Sequence, residues 1–381
     1  MTFFNPEGIP PLVASTMVRI ERRLPYPGEV LVRQGSRVEP EDIVARTLKP
    51  VDLQIINVAR QLGVPPRLVP RAMRRAKGAK VKANDLLARA PGLFGRGCVA
   101  PVGGMVADVD GETGYVTIAP DPVEQTITAA LRGLVMDVMP YEGVILETPA
   151  AQIYGAFGIG EERSGVLRLL ALEPNEQVQP KQIDAGSAYA ILICGASISA
   201  EALRLAVTHQ VRGIIVGGIE ERELRSFMGW QSYAAWQTGV SSWQWPNPQQ
   251  VSQLPFTIVV TEGFGVRPMN QAFFELLSTQ DRQEALIDGQ TCLRRPMRRP
   301  RVIIPLNRAS GNQIQPPRLP LRVGATVRLL DYEHLGQLAT VRSFTTAPRR
   351  IPSGVRAAAV EVTLTEGGTC WLPRTCVEVM S

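Results

Sequence analysis

The sequence carries one motif twice: residues 35–46 read GSRVEPEDIVAR and residues 78–89 read GAKVKANDLLAR, with Gly, Val, Asp, Ala and Arg at the same offsets. A glycine accepts the left-handed backbone of a tight turn, and an Asp side chain accepts hydrogen bonds from the backbone that follows it. The repeat therefore predicts a β-hairpin unit that is present in two copies.

A second repeat lies downstream of the first. GMVADV begins at Gly104 and is followed by Gly114, and GLVMDV begins at Gly133 and is followed by Gly143, so the glycine spacing is the same. Each segment is typical of a strand, a polar turn and a return strand. We predict a β-rich region over residues 1–174.

Residues 52–77 are inserted between the two copies of the first motif. DLQIINVARQL (52–62) has apolar residues at helical spacing, with Asp52 as N-cap and Gly63 as the stop. Pro65 and Pro66 open a second helix, RLVPRAMRRA (67–76). These two helices are expected to cover an open end of the β-structure. The same text resembles a DNA-reading helix-turn-helix, an alternative that Pro70 inside the second helix disfavours.

The pattern changes after a turn-rich linker at 174–187. AYAILIC, VRGIIVGG and PFTIVVTEGFG are apolar strands that alternate with helices, which predicts an α/β domain over residues 185–308 with a mostly parallel sheet. Residues 319–381 contain about five short strands and predict a small β-barrel. The stretch Trp230–Trp245 holds four of the five tryptophans, and it is predicted either to pack on the edge of the sheet or to form a surface for a protein partner.

Composition excludes several classes of protein. No apolar run is long enough to cross a bilayer, and the N-terminus lacks a basic-then-apolar leader, so we expect a cytoplasmic protein. The five cysteines are scattered and only two histidines are present, so neither a disulfide framework nor a metal site is predicted. We likewise predict no cofactor.

Charge is segregated along the chain. Residues 1–100 carry 17 Lys and Arg against 8 Asp and Glu, residues 101–290 carry 10 against 22, and residues 291–381 carry 14 against 5. Basic ends attract a polyanion such as RNA or DNA, or equally the acidic middle of the same chain. Both interpretations stay open at the level of sequence.

Two stretches resemble known folds. Residues 28–46 and 76–118, with their return APVGGMV at 100–106, resemble the barrel-sandwich hybrid of biotinyl and lipoyl carrier domains. The hairpin tip at 91–97 has no lysine to acylate, so carrier function is not expected. GATVRLL (324–330), Gly336 and ATV (339–341) resemble a KOW motif, which implies a Src-homology-3-like barrel of the kind found in ribosomal proteins and transcription elongation factors.

No catalytic constellation is present, since Cys194 lacks a nearby histidine, and we predict a non-enzymatic binding or scaffold protein. The residues predicted to contact nucleic acid or a nucleoprotein complex are Arg71, Arg74, Arg75, Lys77, Arg295, Arg298, Arg299, Arg328, Arg349 and Arg350. An alternative is a sensor of a small anion or nucleotide at the carboxyl ends of the α/β strands. Its predicted site is Gly195, Ser197, Gly217, Gly218, Glu262, Gly263 and Gly265. These glycines can equally serve only tight turns.

Overall fold

The computed structural model describes residues 11–92, 95–229, 254–291, 299–307, 320–331, 333–345, 347–351, 354 and 356–380. Over these ranges the protein is β-rich, with short helices and several sheets. None of the helices in these ranges is both long and apolar enough to cross a membrane.

Strands dominate the first part of the chain. They are β1 (Leu12–Arg23), β2 (Glu29–Val30), β3 (Arg37–Val38), β4 (Ile43–Lys49), β5 (Gln54–Asn57), β6 (Lys80–Val81), β7 (Leu86–Arg89), β8 (Gly97–Val99), β9 (Gly104–Val109), β10 (Tyr115–Pro120), β11 (Val123–Thr128), β12 (Gly133–Met139) and β13 (Gly143–Tyr154). β9 pairs with β10 and β12 with β13, both antiparallel, which confirms the two hairpins predicted from the glycine spacing.

The two copies of the first motif make equivalent hydrogen bonds. Gly35 and Gly78 both have a left-handed backbone, with φ of 82° and 86°. The N–H of Gly35 donates to Val135 O at 2.8 Å, and the N–H of Gly78 donates to Val106 O at 2.8 Å. Val135 and Val106 occupy the same position in the second repeat. The duplication predicted from sequence is therefore confirmed as a structural one.

The aspartates of the motif cap equivalent turns. The N–H of Glu39 donates to Asp42 Oδ2 at 2.8 Å, and the N–H of Lys82 donates to Asp85 Oδ2 at 3.1 Å. The Val-Ala and Leu-Ala pairs that follow these aspartates are buried in both copies. The motif thus specifies a turn and the first inward-facing residues of the strand after it.

The inserted segment is only partly helical. The predicted helix over 52–62 is wrong in its first half, because residues 54–57 form β5 and pair with β10. α1 (Val58–Leu62) follows, with Asn57 as its N-cap and Gly63 as its left-handed C-cap. The second element is a 3₁₀ turn at Pro66–Leu68 that runs into α2 (Val69–Ala72), so Pro70 lies in the first turn of α2, where its missing N–H costs nothing.

Both helices pack on the β-structure as expected of a cap. Their buried residues join one apolar cluster with Val81 and Leu87 from the second copy and with Val106, Val116 and Ile118 from the β9–β10 hairpin. An α2 of four residues is too short to present a recognition helix to a DNA groove, which removes the helix-turn-helix alternative.

Eleven strands form the largest sheet, in the order β14-β20-β19-β17-β15-β21-β22-β13-β12-β3, with β1 also paired to β13. Its remaining strands are β14 (Phe157–Ile159), β15 (Arg163–Leu169), β17 (Ala190–Ile193), β19 (Gly213–Ile219), β20 (Thr257–Phe264), β21 (Glu284–Asp288) and β22 (Arg301–Pro305). The two-stranded pair β16 (Gln177–Val178) and β18 (Ser197–Ile198) lies outside this sheet.

The predicted parallel arrangement is confirmed for β17, β19 and β20, and β15, which precedes the predicted α/β domain, also pairs parallel with β17. The pairs that flank these strands, β14 with β20 and β15 with β21, are antiparallel. Within the described ranges, three helices accompany these strands: α3 (Ala200–Thr208), α4 (Glu221–Met228) and α5 (Gln271–Thr279). Long strand β13 pairs with β12 through its first half and with β22 through its second half. The sheet therefore runs continuously across the boundary that the sequence predicted near residue 174.

The C-terminal residues form a five-stranded antiparallel sheet in the order β28-β27-β24-β23-β29. Its strands are β23 (Thr326–Leu329), β24 (Leu338–Phe344), β27 (Ala359–Leu364), β28 (Thr369–Pro373) and β29 (Val377–Val379), and a separate pair is formed by β25 (Arg349–Arg350) and β26 (Arg356–Ala357). One face of this sheet buries its own apolar cluster. The other face, at β23 and β29, contacts the large sheet through charged side chains.

A buried ion cluster joins the two sheets. Arg328 and Glu378 lie opposite each other on β23 and β29, and Arg328 Nη2 contacts Glu378 Oε2 at 2.5 Å. Arg299 pairs with the same carboxylate, and all three side chains are fully buried. Arg299 also donates from Nε to Gly155 O at 3.0 Å, so the cluster ties the C-terminal sheet to the end of β13.

Candidate nucleic-acid interface

Ten lysines and arginines lie between residues 58 and 99, against one acidic residue, Asp85. All ten are exposed: Arg60, Arg67, Arg71, Arg74, Arg75, Lys77, Lys80, Lys82, Arg89 and Arg96. We call this set the basic surface. It extends from α1 through the 3₁₀ turn, α2 and the segment after α2 to the second copy of the motif and the loop before β8. It includes four of the residues predicted from sequence, Arg71, Arg74, Arg75 and Lys77.

The backbone beneath the basic surface is held in place. The N–H groups of Arg74 and Arg75 both donate to Leu87 O, at 2.7 and 3.3 Å, and Met73 forms a bridge with Ala88. The N–H of Gly78 ties the other end of this run to the β9 strand. The cationic side chains therefore extend from a fixed scaffold, which reduces the ordering that binding would require.

Few of these charges are neutralised within the protein. Arg75 pairs with Asp85 at 3.3 Å and Lys77 with Asp108 at 2.7 Å, and these are the ion pairs that the described residues provide for the basic surface. The Lys77 ammonium lowers the pKa of the Asp108 carboxyl. Both pairs are exposed and individually weak, so a phosphate can compete for Arg75 and Lys77.

The first copy of the motif shows that the fold itself does not demand this charge. Residues 35–46 contain two basic and three acidic residues, whereas residues 78–89 contain three basic and one acidic residue. Glu39 in the first copy occupies the position of Lys82 in the second. The charge difference between two copies of one backbone indicates that the basic surface is a property of the second copy and its helical insertion.

A second group of cations lies in the C-terminal part. Arg349 and Arg350 on β25 are both exposed, as is Arg356 opposite them on β26. The Arg349 guanidinium lies 4.3 Å from the centroid of the Trp371 ring, and the Arg374 guanidinium lies 5.0 Å from that of Phe344. At these distances each guanidinium is in cation–π contact with the ring.

Two of the predicted phosphate contacts are wrong. Arg299 and Arg328 are buried and paired with Glu378, so neither guanidinium reaches a ligand at the surface. Burial lowers the pKa of both side chains, and the Arg328 charge lowers that of Arg299 further. Arg299 was predicted from a basic run and Arg328 from the KOW-like segment, and only the packing of the two sheets shows that both face inward. Arg295 and Arg298 lie outside the described residues, as does Trp230–Trp245.

The residues of the predicted anion site lie close together at the strand ends, but other backbone groups of the chain occupy their hydrogen-bond donors and the space beside them. The N–H groups of Gly217, Gly218 and Gly265 donate to Gly195 O, Ala196 O and Ile219 O, at 2.8, 3.1 and 2.9 Å. These N–H groups are therefore occupied within the protein.

Backbone also fills the space beside these glycines. A Cβ added to Gly217 would lie 2.6 Å from Met269 N, and one added to Gly263 would lie 2.9 Å from Leu335 O. Ser197 is buried in β18, and Glu262 Oε1 accepts from Asn270 N at 3.1 Å. This edge of the sheet favours the tight-turn interpretation of its glycines.

No protein-family model matches the sequence, and a search of the curated proteins finds no match. The nucleic-acid contacts predicted from sequence include four members of the basic surface and leave out the other six, which are Arg60, Arg67, Lys80, Lys82, Arg89 and Arg96. Their signal was the local excess of Lys and Arg over Asp and Glu within residues 58–99.

Proposed function

We propose that this protein is a non-enzymatic binding or scaffold protein that holds the phosphate backbone of RNA or DNA, alone or within a nucleoprotein complex. The observation that carries the proposal is the basic surface: ten exposed cations against one acidic residue within residues 58–99. Phosphate contacts by Lys and Arg release counterions and give affinity without base readout. Binding is thus expected to show little sequence preference.

The C-terminal sheet contributes a second contact in this proposal. It carries the segment that resembles a KOW motif, and we interpret the unit as a small barrel of that class. Arg349 against Trp371 supports a role in contacting nucleic acid, because a guanidinium over a ring can take a stacked base. We place the activity in the cytoplasm, since the four described cysteines are all free thiols.

Fluorescence anisotropy tests the proposal by measuring how tightly the full chain binds labelled RNA and labelled duplex DNA. The salt concentration is varied over roughly 50–300 mM, the range in which binding to phosphates changes steeply. The test variant carries Arg71→Gln, Arg74→Gln and Lys82→Gln. We expect it to lower affinity by roughly tenfold or more, and to lower the slope of log affinity against log salt by about 3.

A matched control carries Arg33→Gln, Arg37→Gln and Lys49→Gln, which removes the same charge from exposed positions in and around the first copy. Its affinity and salt slope are expected to stay close to those of the unmodified protein. Equal losses in the two triple variants would show that net charge alone is responsible. Absence of binding at the lowest salt would reject the proposed function.

A further inference from the structure

A cavity of ≈ 430 Å³ lies over β15, between the loop that precedes β17 and the loop that precedes β21. It is separate from the glycine-rich strand ends and from the basic surface. Its lining is Val166, Leu167, Arg168, Leu169, Gly186, Ala188, Tyr189, Ala190, Asp281 and Arg282.

The strand that forms the floor of this cavity, β15, is partly exposed to solvent although it is a central strand of the sheet. β15 lies between β17 and β21 inside the eleven-stranded sheet, and Leu167 is fully buried in its core. Val166 nevertheless remains 45% exposed. The middle of a large sheet is thus open to solvent beside two loops, and the space has the size of a small-molecule site.

Arg168 is held in a position that leaves one edge of its guanidinium open. Its Nη1 donates to Asp184 Oδ1 and to Ser187 Oγ, both at 2.8 Å, and Ser187 is fully buried. Among the described residues no other atom accepts a hydrogen bond from Arg168, so the edge formed by Nε and Nη2 has no acceptor there. That edge is the one that binds a carboxylate or a phosphate through two parallel hydrogen bonds.

An aromatic ring stands at the rim of the cavity. Tyr189 is 57% exposed and adopts the left-handed backbone, with φ of 60°, which a tyrosine rarely does. Arg212 lies over its ring, 5.4 Å from the centroid. A residue held in a strained conformation beside a cavity is a mark of a functional position.

The charges around the cavity are mixed. Arg168 is offset by Asp184, whose pKa the Arg168 hydrogen bond lowers. Asp281 accepts from the N–H of Leu169 at 2.8 Å and lies 3.7 Å from Arg282 Nε. Arg282 is largely exposed, and the nearby Glu284, opposite Val166 on β21, is exposed as well. The site therefore favours one oxyanion at the Arg168 edge over a ligand with several charges.

We propose that this cavity binds a small molecule that joins a planar ring to an oxyanion, with the open edge of Arg168 holding the oxyanion and Tyr189 contacting the ring. A carboxylate and a phosphate present the same pair of oxygens to a guanidinium. None of the residues that line the cavity belongs to the basic surface, so the test of this site is independent of the test of the proposed function.

Isothermal titration calorimetry on the full chain tests this site with AMP, 4-hydroxybenzoate, adenosine and inorganic phosphate as probes. We expect AMP or 4-hydroxybenzoate to bind with a dissociation constant below about 1 mM. Adenosine, which has the ring without the oxyanion, should bind at least tenfold more weakly. Inorganic phosphate, which has the oxyanion without the ring, should also bind at least tenfold more weakly than AMP. Failure of both AMP and 4-hydroxybenzoate to bind at this concentration rejects the site.

Three variants test the contacts. Arg168→Lys keeps the positive charge but loses the two parallel N–H donors of the guanidinium edge, and we expect roughly tenfold weaker binding. Tyr189→Gly removes the ring and relieves the strained φ, so affinity should fall by about 3- to 10-fold while thermal stability is kept.

Tyr141→Gly is the matched control for Tyr189→Gly, because Tyr141 is also an exposed tyrosine, has φ of 65° and lies outside the lining. It should leave affinity unchanged. The triple variant of the basic surface should also still bind AMP, which separates this site from binding of a phosphate at the basic surface. Unchanged affinity in both Arg168→Lys and Tyr189→Gly would overturn the assignment.

Discussion

At the scale of single residues, Glu378 is the most consequential side chain in the described part of the protein. It is the buried carboxylate that Arg299 and Arg328 share, and Glu262 lies 3.6 Å from Arg328 at the edge of the cluster. Ion pairs of this kind add little net stability, because both partners lose their water. Removing Glu378, however, takes away the carboxylate that both buried guanidinium groups share.

Glu378→Gln is therefore expected to destabilise the protein by about 3–5 kcal/mol, since two buried guanidinium groups lose their anion. Urea unfolding followed by far-UV circular dichroism measures the change. Glu366→Gln, at an exposed position of the same C-terminal sheet region, is the control and should shift stability by less than about 0.5 kcal/mol. A loss for Glu378→Gln no larger than for the control would contradict the role of the cluster.

Burial also governs the chemistry of Cys194. Desolvation raises the pKa of this fully buried thiol to about 12. The raised pKa means that the thiol is neutral at pH 8, and the thiolate is the reactive form. We expect iodoacetamide at pH 8 to leave Cys194 unmodified in the folded protein and to alkylate it fully in urea, as read by peptide mass spectrometry. Rapid labelling in the folded protein would show that Cys194 is accessible.

At the scale of elements, the turn between β23 and β24 is the piece of the C-terminal sheet that contacts the carboxyl ends of the parallel strands. Gly336 has φ of 81° and its Cα faces the backbone of Glu262 and Gly263 so closely that an added Cβ would collide. Gly324 has a similar φ of 84°, but a Cβ there meets no atom within 4 Å. An alanine at either position would adopt a strained left-handed backbone, but only at Gly336 would its Cβ also collide with neighbouring backbone atoms.

Gly336→Ala is expected to destabilise the protein by about 2–4 kcal/mol, the sum of left-handed strain and overpacking. Gly324→Ala carries the strain alone and should cost about 1–2 kcal/mol. Urea unfolding of both variants gives the difference, which reports the contact between the turn and β20. Equal losses would mean that this contact contributes nothing.

Elements set by local patterns were predictable, and elements set by distant pairing were not. The strands at 190–193, 213–219 and 257–264 are apolar runs that any parallel sheet would bury, and they were found. Residues 54–57 had helical spacing, yet β-branched Ile55 and Ile56 pair with β10, more than fifty residues away. Tertiary pairing overrode the local pattern there.

At the scale of the whole molecule, the same limit applies to the division of the chain. The sequence predicts separate β-rich, α/β and C-terminal units, whereas Ala150 on β13 pairs with Pro305 on β22 within one sheet. The candidate sites follow this pattern too. The basic surface was visible in composition, but the open edge of Arg168 depends on Asp184 and Ser187, and no local motif marks it.

The buried cluster and the glycine contact together predict that the large sheet and the C-terminal sheet unfold as one cooperative unit. Hydrogen exchange with mass spectrometry, in increasing urea below the unfolding midpoint, measures this through the amides of β19 and β23. In the unmodified protein both sets should exchange with the same free energy of opening, because separating the sheets would expose Arg299, Arg328 and Glu378.

Glu378→Gln should break this equality, because it removes the anion that offsets the two guanidinium groups. The β23 amides are then expected to open at lower free energy than those of β19, which keep the apolar core around Ile214, Ile215 and Val216. The Glu366→Gln control should keep the two openings equal. If β23 already opens separately in the unmodified protein, the C-terminal sheet is an independent unit and the cluster does not couple it to the rest.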